Sequence, residues 1–123
     1  MSKDILSVSF GEELLPTRLT ALSRSEYCIT FANSLNDAIQ RCKVPRLHLL
    51  VLGHTVPHLQ KLALISEFRK LHPSAPVVSL RAAGQPVVEA AEYNTVADDP
   101  GELAGVISII FQGPHARSSF YVM

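Results

Sequence analysis

The segment LHLLVLGHTVP, residues 47–57, decides the fold of this chain. An unbroken apolar run, residues 49–52, lies at its centre, with Pro45 before it and Gly53 and Pro57 after it. Such a run is too short for a buried helix of ordinary length and is typical of a strand covered on both faces. Strands of this kind occur in parallel sheets with helices packed on each side. Because chemistry in such sheets collects beyond the carboxyl ends of the central strands, the glycine that follows the run is the most informative residue.

The length, composition and charge of the chain limit the class of protein to which it can belong. It has 123 residues, of which 47% are hydrophobic and 18% charged, and this composition is typical of one globular domain with a single core. We assign that domain to residues 1–112 and treat residues 113–123, where helical periodicity is lost, as a tail that is either frayed or docked. With 11 basic and 11 acidic residues, electrostatics gives no support to nucleic acid or an anionic membrane as a partner.

The sequence predicts a reduced, cytoplasmic protein. No apolar run approaches the roughly 18 residues of a membrane-spanning helix. The first residues lead directly into a predicted strand, without the pattern of a signal peptide. The two cysteines, Cys28 and Cys42, make a poor disulfide framework, so both are interpreted as buried small hydrophobic residues.

Short β-prone runs alternate with segments of helical periodicity along the chain. The predicted strands are residues 5–10, 27–31, 49–52, 77–80 and 93–97. The predicted helices lie within residues 12–22, 34–42, 62–71, 86–92 and 99–111, and the fourth of them is short. This alternation predicts right-handed crossovers and an α/β fold, with a parallel sheet that carries helices on both faces.

Placed end to end, these elements resemble a response-regulator receiver domain, the phosphoacceptor module of two-component signalling. In that family the third strand ends in an aspartate with a proline four residues later, the fourth in Thr or Ser followed by Ala, and the fifth in Lys-Pro. Residues 49–57 match the third-strand segment, including its proline, residues 76–82 match the fourth, and Asp99-Pro100 takes the place of Lys-Pro. The resemblance covers residues 3–111 and implies a doubly wound, flavodoxin-like sheet of five strands in the order 2-1-3-4-5.

The positions that carry receiver chemistry hold residues unable to perform it. Receiver phosphorylation uses a carboxylate nucleophile, a divalent ion held by further carboxylates, and a hydroxyl and an ammonium that hold the phosphoryl oxygens. Here Gly53 takes the place of the nucleophile, and Ser9 with Phe10 takes the place of the acidic pair. Arg81 takes the place of the hydroxyl residue, and Asp99 that of the lysine. The resemblance therefore implies a pseudo-receiver, which is not an enzyme, uses no cofactor and is not switched by aspartyl phosphorylation.

Arg81 and Asp99 suggest a more specific hypothesis about the emptied pocket. If both lie at neighbouring strand ends, they could pair across the pocket and hold one conformation permanently. The alternative is that each is a solvated loop charge that contributes little. The interval between them is about one helical turn shorter than is usual in the family, which argues against dimerisation through the face that receivers use.

The last predicted helix carries apolar residues on more than one side. A helix of this kind is either well buried or covers a partner, and the sequence leaves both alternatives open. The candidate partner face consists of Leu103, Val106, Ile109 and Ile110.

The five histidines do not form a recognisable metal site. His54 and His58 are four residues apart, but Pro57 lies between them and disrupts the helix that would align them. The histidines are therefore predicted to lie in solvated loops, and no metal is predicted.

Two function hypotheses remain. The first is a non-catalytic signalling or adaptor module that binds another signalling protein, with a homodimer left open. The second is a domain that binds a small ligand or a flavin on the same topology, because a fold alone does not determine a function. Absorbance or intact mass of the purified protein would distinguish them.

Overall fold

The computed structural model describes residues 3–11, 27–96 and 102–111 of the chain. Its strands are β1 (Lys3–Val8), β2 (Tyr27–Ala32), β3 (Leu49–Leu52), β4 (Val77–Arg81) and β5 (Tyr93–Val96). Its helices are α1 (Leu35–Arg41), α2 (His58–Leu71) and α3 (102–111). None of these helices is long and apolar enough to cross a membrane. The helix predicted within residues 12–22 and the predicted tail, residues 113–123, lie outside the described residues.

The five strands form one parallel sheet in the order β2-β1-β3-β4-β5. This order confirms the predicted doubly wound α/β fold. β3 is central, and its last residue, Leu52, lies opposite Val8 of β1 on one side and Ser79 of β4 on the other. Because the strand order reverses between β1 and β3, the carboxyl ends of these two strands mark the place where such folds carry out their chemistry.

β3 is buried on both faces, as its sequence predicts. All four of its residues are 0% exposed. Leu50 and Leu52 pack in a core with residues of α1 and α2, of which Phe68 is the largest. Leu49 and Val51 pack in a second core, on the α3 side of the sheet. Consecutive strand residues point to opposite faces, so this single strand supplies side chains to both cores.

The short helix predicted at residues 86–92 is not formed, and that element of the prediction is wrong. Residues 82–92 instead form turns and irregular backbone between β4 and β5. Gly84, two residues before the predicted helix, has a φ of +85° and lies in the turn that follows β4. Polar side chains make hydrogen bonds to the backbone of residues 82–92. In a helix, the backbone groups would instead bond to one another.

Gln85 and Asn94 are the main residues that hold this segment. Gln85 accepts the N–H of Ala82 (2.8 Å) and donates from its side-chain amide to the carbonyl of His54 (3.2 Å). Asn94 accepts the N–H of Val88 (2.9 Å) and donates to the Val88 carbonyl (3.0 Å). Val88 is fully buried and packs in the core on the α1 and α2 side of the sheet.

The two cysteines lie in different environments, so the prediction that both are buried is half right. Cys42, directly after α1, is buried, whereas Cys28 in the edge strand β2 is exposed. Burial raises the pKa of the Cys42 thiol to about 11, and the carboxylate of Glu67 adds to the increase. The thiol of Cys42 is therefore protonated at neutral pH.

We expect Cys28 to react with iodoacetamide in the native protein and Cys42 to remain unmodified. The thiolate is the nucleophile, and a pKa raised from 9.0 to about 11 lowers its population about 100-fold. Brief alkylation at about pH 8 should add one group to the native protein and two groups in urea, as measured by intact mass. The variant Cys28→Ser should gain none while native; rapid modification of that variant would contradict the burial of Cys42.

Candidate functional site

Ser9 and Gly53 lie side by side at the carboxyl edge of the sheet. They directly follow Val8 and Leu52, the last paired residues of β1 and β3. The N–H of Gly53 donates to the Val8 carbonyl (2.8 Å), and the N–H of Ser9 donates to the carbonyl of Ala32 on β2 (3.1 Å). Both residues are buried. The position that the resemblance assigns to a phosphoacceptor is therefore occupied by backbone alone.

Phe10 closes the β1 side of this edge. Its N–H donates to the Thr55 hydroxyl (2.7 Å), which joins the loop after β1 to the loop after β3. Its ring is partly buried and packs against the core on the α1 and α2 side of the sheet. An aromatic ring offers no oxygen ligand to a hard divalent cation. A position that the resemblance assigns to a metal-binding carboxylate is used here for packing.

Arg81 turns toward the loop that follows its own strand. It is the last residue of β4 and is partly buried. Its guanidinium donates to the Gln85 carbonyl (3.2 Å), which places the charge beside the segment between β4 and β5. Asp99 lies outside the part of the chain that the structure describes, so the proposed pairing of Arg81 with Asp99 stays a prediction.

Two histidines make structural hydrogen bonds, and one of them, His72, is buried, contrary to the expectation of solvated loop positions. His72 is buried, donates from Nε2 to the Cys42 carbonyl (2.9 Å), and places its ring 5.1 Å from that of Phe68. His48, directly before β3, accepts the N–H of Asp4 at Nδ1 (2.9 Å). Among the described residues, no three His, Cys, Asp or Glu side chains are grouped to hold a metal ion.

Lys61 brings a positive charge into the protein near the carboxyl end of β4. The residue is only 3% exposed. Its ammonium donates to the hydroxyl of Ser79 (2.9 Å) and to the carbonyl of Leu80 (2.7 Å). Burying an ammonium is costly unless hydrogen bonds of this kind compensate for the lost water. Lys61 therefore joins α2 to the strand end beside the candidate site.

The sequence interpretation missed Lys61, although a signal for it was present. Lys61 precedes Leu64 and Ile65 by three and four residues, so it lies on the same side of α2, and all three are buried together with Phe68. The sequence instead indicates an apolar stripe of Leu64, Phe68 and Leu71, and Leu71 is exposed in the structure. A lysine at a position where the helical pattern calls for an apolar residue indicated that Lys61 is buried.

α3 uses most of the predicted partner face for the core of the domain. Leu103 is buried, and Val106 and Ile110 are partly buried against the same core. Ile109 is 55% exposed. Ile109 is therefore the most exposed member of the set, and its role in a partner face stays a prediction.

Several solved structures of receiver domains resemble this chain. A CheY-like receiver domain protein from Methanospirillum hungatei JF-1 has a TM-score of 0.76 and 16% identity, over 95% of this chain and 99% of that one. The response regulator TrrA from Thermotoga maritima, solved in complex with Mg²⁺ and BeF, has a TM-score of 0.68 and 22% identity, over 88% and 98%. TrrA in a complex with the histidine kinase ThkA has a TM-score of 0.70 and 20% identity, over 88% and 97%.

No protein-family model and no curated protein sequence matches the chain. At identities of 16 to 22%, the structural likeness shows the fold alone. Because the match spans nearly the whole length of each neighbour and the sheet has the same strand order, this chain has the fold of a response-regulator receiver domain.

Proposed function

We propose that this protein is a receiver-like signalling module that acts by binding another protein and is not switched by aspartyl phosphorylation. The observation that supports the proposal is the residue at the carboxyl end of β3. Gly53 has no side chain that could accept a phosphoryl group, and its N–H is bonded to the Val8 carbonyl. Aspartyl phosphorylation requires a carboxylate nucleophile, so the reaction lacks its first component.

The residues around Gly53 support the same proposal. Phosphoryl transfer in receivers also needs a divalent ion held by carboxylates, and neither Ser9 nor Phe10 supplies one. Arg81 stands at the position of the hydroxyl residue, and its guanidinium contacts the Gln85 carbonyl. Loss of one component would leave residual chemistry, but replacement of the nucleophile, the metal ligands and the hydroxyl leaves no mechanism. We therefore propose that the protein has no catalytic activity.

The proposed partner is another signalling protein of the cytoplasm. TrrA, which has the same fold, has been solved in complex with a histidine kinase. A module without a phosphorylation switch presents its binding surface continuously. Its occupancy should therefore follow the concentration of the partner, through ordinary mass action, and not the phosphorylation state of the cell.

Titration with magnesium and beryllofluoride, an analogue of the acyl phosphate, tests this proposal. We expect no saturable change in the amide NMR shifts of Phe10, Gly53 and Arg81, because the pocket has neither the nucleophile nor the metal ligands. Acetyl phosphate should likewise leave the intact mass of the protein unchanged. TrrA, solved with Mg²⁺ and BeF, is the matched positive control.

Saturable shifts centred on Gly53 would overturn the proposal, since they would show that the pocket still holds a metal or an anion. A mass increase of one phosphoryl group would overturn it as well. Shifts that stay within the error of a magnesium-only titration would support it.

A further inference from the structure

The edge strand β2 directs one side of its backbone away from the rest of the sheet. Within the part of the chain that the structure describes, β2 pairs with β1 alone. The N–H of Ser9 donates to the Ala32 carbonyl, so Ala32 directs its backbone groups toward β1. In a parallel ladder every second residue does so, and the residues between them direct their N–H and C=O groups to the other side. In β2 these outward residues are Tyr27, Ile29 and Phe31.

β2 lacks the features by which edge strands usually avoid pairing with another chain. Such strands are short, carry a lysine or a proline, or are bent by a bulge. β2 has six residues, none of them charged and none a proline, and it pairs with β1 in unbroken register. Phe31 is 38% exposed, and Cys28 is exposed as well. Since the other edge strand, β5, has only four residues, β2 is the edge better suited to add a strand.

The sequence of β2 is nearly symmetric about Ile29. The aromatic residues Tyr27 and Phe31 lie two positions before and after it, and the small residues Cys28 and Thr30 lie next to it. A two-fold axis at the centre of the strand therefore places like residue types opposite one another in an antiparallel pair. Cross-strand aromatic pairs stabilise such an arrangement. This symmetry favours a second copy of the same strand as the occupant of the edge.

We propose that the chain forms a symmetric dimer in which the β2 strands of two copies pair antiparallel and join their sheets. Ile29 lies opposite Ile29 of the second copy, and Tyr27 lies opposite Phe31 of the second copy. Each of these pairs exchanges two N–H to C=O bonds, because all three residues direct their backbone groups outward. The strand carries no charge, so the pairing brings no like charges of the two strands together. This self-association goes beyond the proposed function and does not involve Gly53.

The register of this pairing determines which side chains of the two copies meet on the opposite face of the strand. Cys28 lies opposite Thr30 of the second copy in a non-hydrogen-bonded pair, in which the Cα atoms are about 4.5 Å apart. A disulfide can bridge that distance. Cys28 is diagonal to Cys28 of the second copy, at about 7–8 Å, which is too far for a disulfide without backbone movement.

Thr30→Cys tests this register by disulfide crosslinking. Oxidised glutathione should convert this variant, at about 0.5 mM protein, to a crosslinked dimer that is measured by intact mass. The native chain and the double variant Cys28→Ser with Thr30→Cys are matched controls, since each has one cysteine on β2. Each control should give at least about fivefold less dimer, because it places no two thiols opposite one another. Cys42 is buried and protonated, so it does not contribute.

Sedimentation equilibrium measures the dimer without a crosslink. A contact of one strand per subunit is small, so we expect a Kd of about 0.1 mM. Phe31→Lys should raise the Kd about tenfold, because a lysine on an edge strand opposes pairing. Ile109→Lys makes the same kind of change at an exposed apolar residue of α3 and should leave the Kd unchanged. Because both side chains are exposed, both variants should keep the circular dichroism spectrum of the native protein.

A chain that sediments as a monomer at about 1 mM would overturn the proposal and leave the edge to a strand of another protein. Equal crosslinking of Thr30→Cys and its two controls would overturn it, as would an equal rise of the Kd in Ile109→Lys. These results leave the proposed function intact when beryllofluoride produces no change. A beryllofluoride response at Gly53 would instead overturn the proposed function and has no bearing on the dimer.

Discussion

Leu49→Ala and Leu50→Ala are each expected to lower the free energy of unfolding by about 3 kcal/mol, although the two residues are neighbours in one strand. Leu49 is fully buried in the core on the α3 side of the sheet. Leu50 is fully buried in the core on the α1 and α2 side. Each substitution removes buried methyl groups and leaves a cavity that a packed core fills only partly. Urea denaturation followed by circular dichroism measures both changes.

Comparison of these two substitutions distinguishes a strand that is covered on both faces from one that has a solvated face. In a half-solvated strand, only one of two consecutive positions is buried, so one substitution would cost little. Leu59→Ala is the control, since the same chemical change at a residue 77% exposed should alter stability by no more than about 0.5 kcal/mol. A large loss at one of the two β3 positions and a small loss at the other would contradict the double coverage of β3.

The pattern of apolar residues over short stretches of sequence predicted the sheet but not the segment between β4 and β5. The apolar run of residues 49–52 coincides with β3, because a strand buried on both faces shows its environment directly in its own residues. Residues 86–92 suggested a helix that begins at Pro86. The competing structure depends on contacts distant in sequence, such as the bond from Gln85 to the carbonyl of His54, 31 residues away. Periodicity within a short window contains no information about such bonds.

The candidate site was likewise predicted only in part from the sequence. That Ser9 and Gly53 lie together follows from the parallel sheet, because the carboxyl ends of neighbouring strands meet at one edge. Lys61 bonds to two partners, Ser79 and Leu80, that lie 18 and 19 residues further along the chain and in a different element, so the short-range pattern did not reveal these bonds. Its burial depends on how α2 is rotated against the sheet. The exposure of Leu62 and Leu71, which the sequence did not predict, depends on that same rotation.

Lys61→Ala is expected to lower the free energy of unfolding by about 3 kcal/mol or more. The substitution removes two hydrogen bonds made by a charged group, which leaves the Ser79 hydroxyl and the Leu80 carbonyl without this donor in a buried position. It also removes the aliphatic part of a side chain that is almost completely buried. Both effects act at the carboxyl end of β4, so we expect amide exchange of Leu80 and Arg81 to accelerate as well.

Lys61→Met separates the two effects, because methionine keeps most of the aliphatic volume and removes only the ammonium. It should cost about 2 kcal/mol, less than alanine, since the cavity is mostly filled while the two acceptors lose their donor. Lys70→Ala, which removes an exposed lysine of the same helix, should change stability by no more than about 0.5 kcal/mol. If Lys61→Met were as stable as the native protein, the ammonium would contribute no net stability, and this prediction would be wrong.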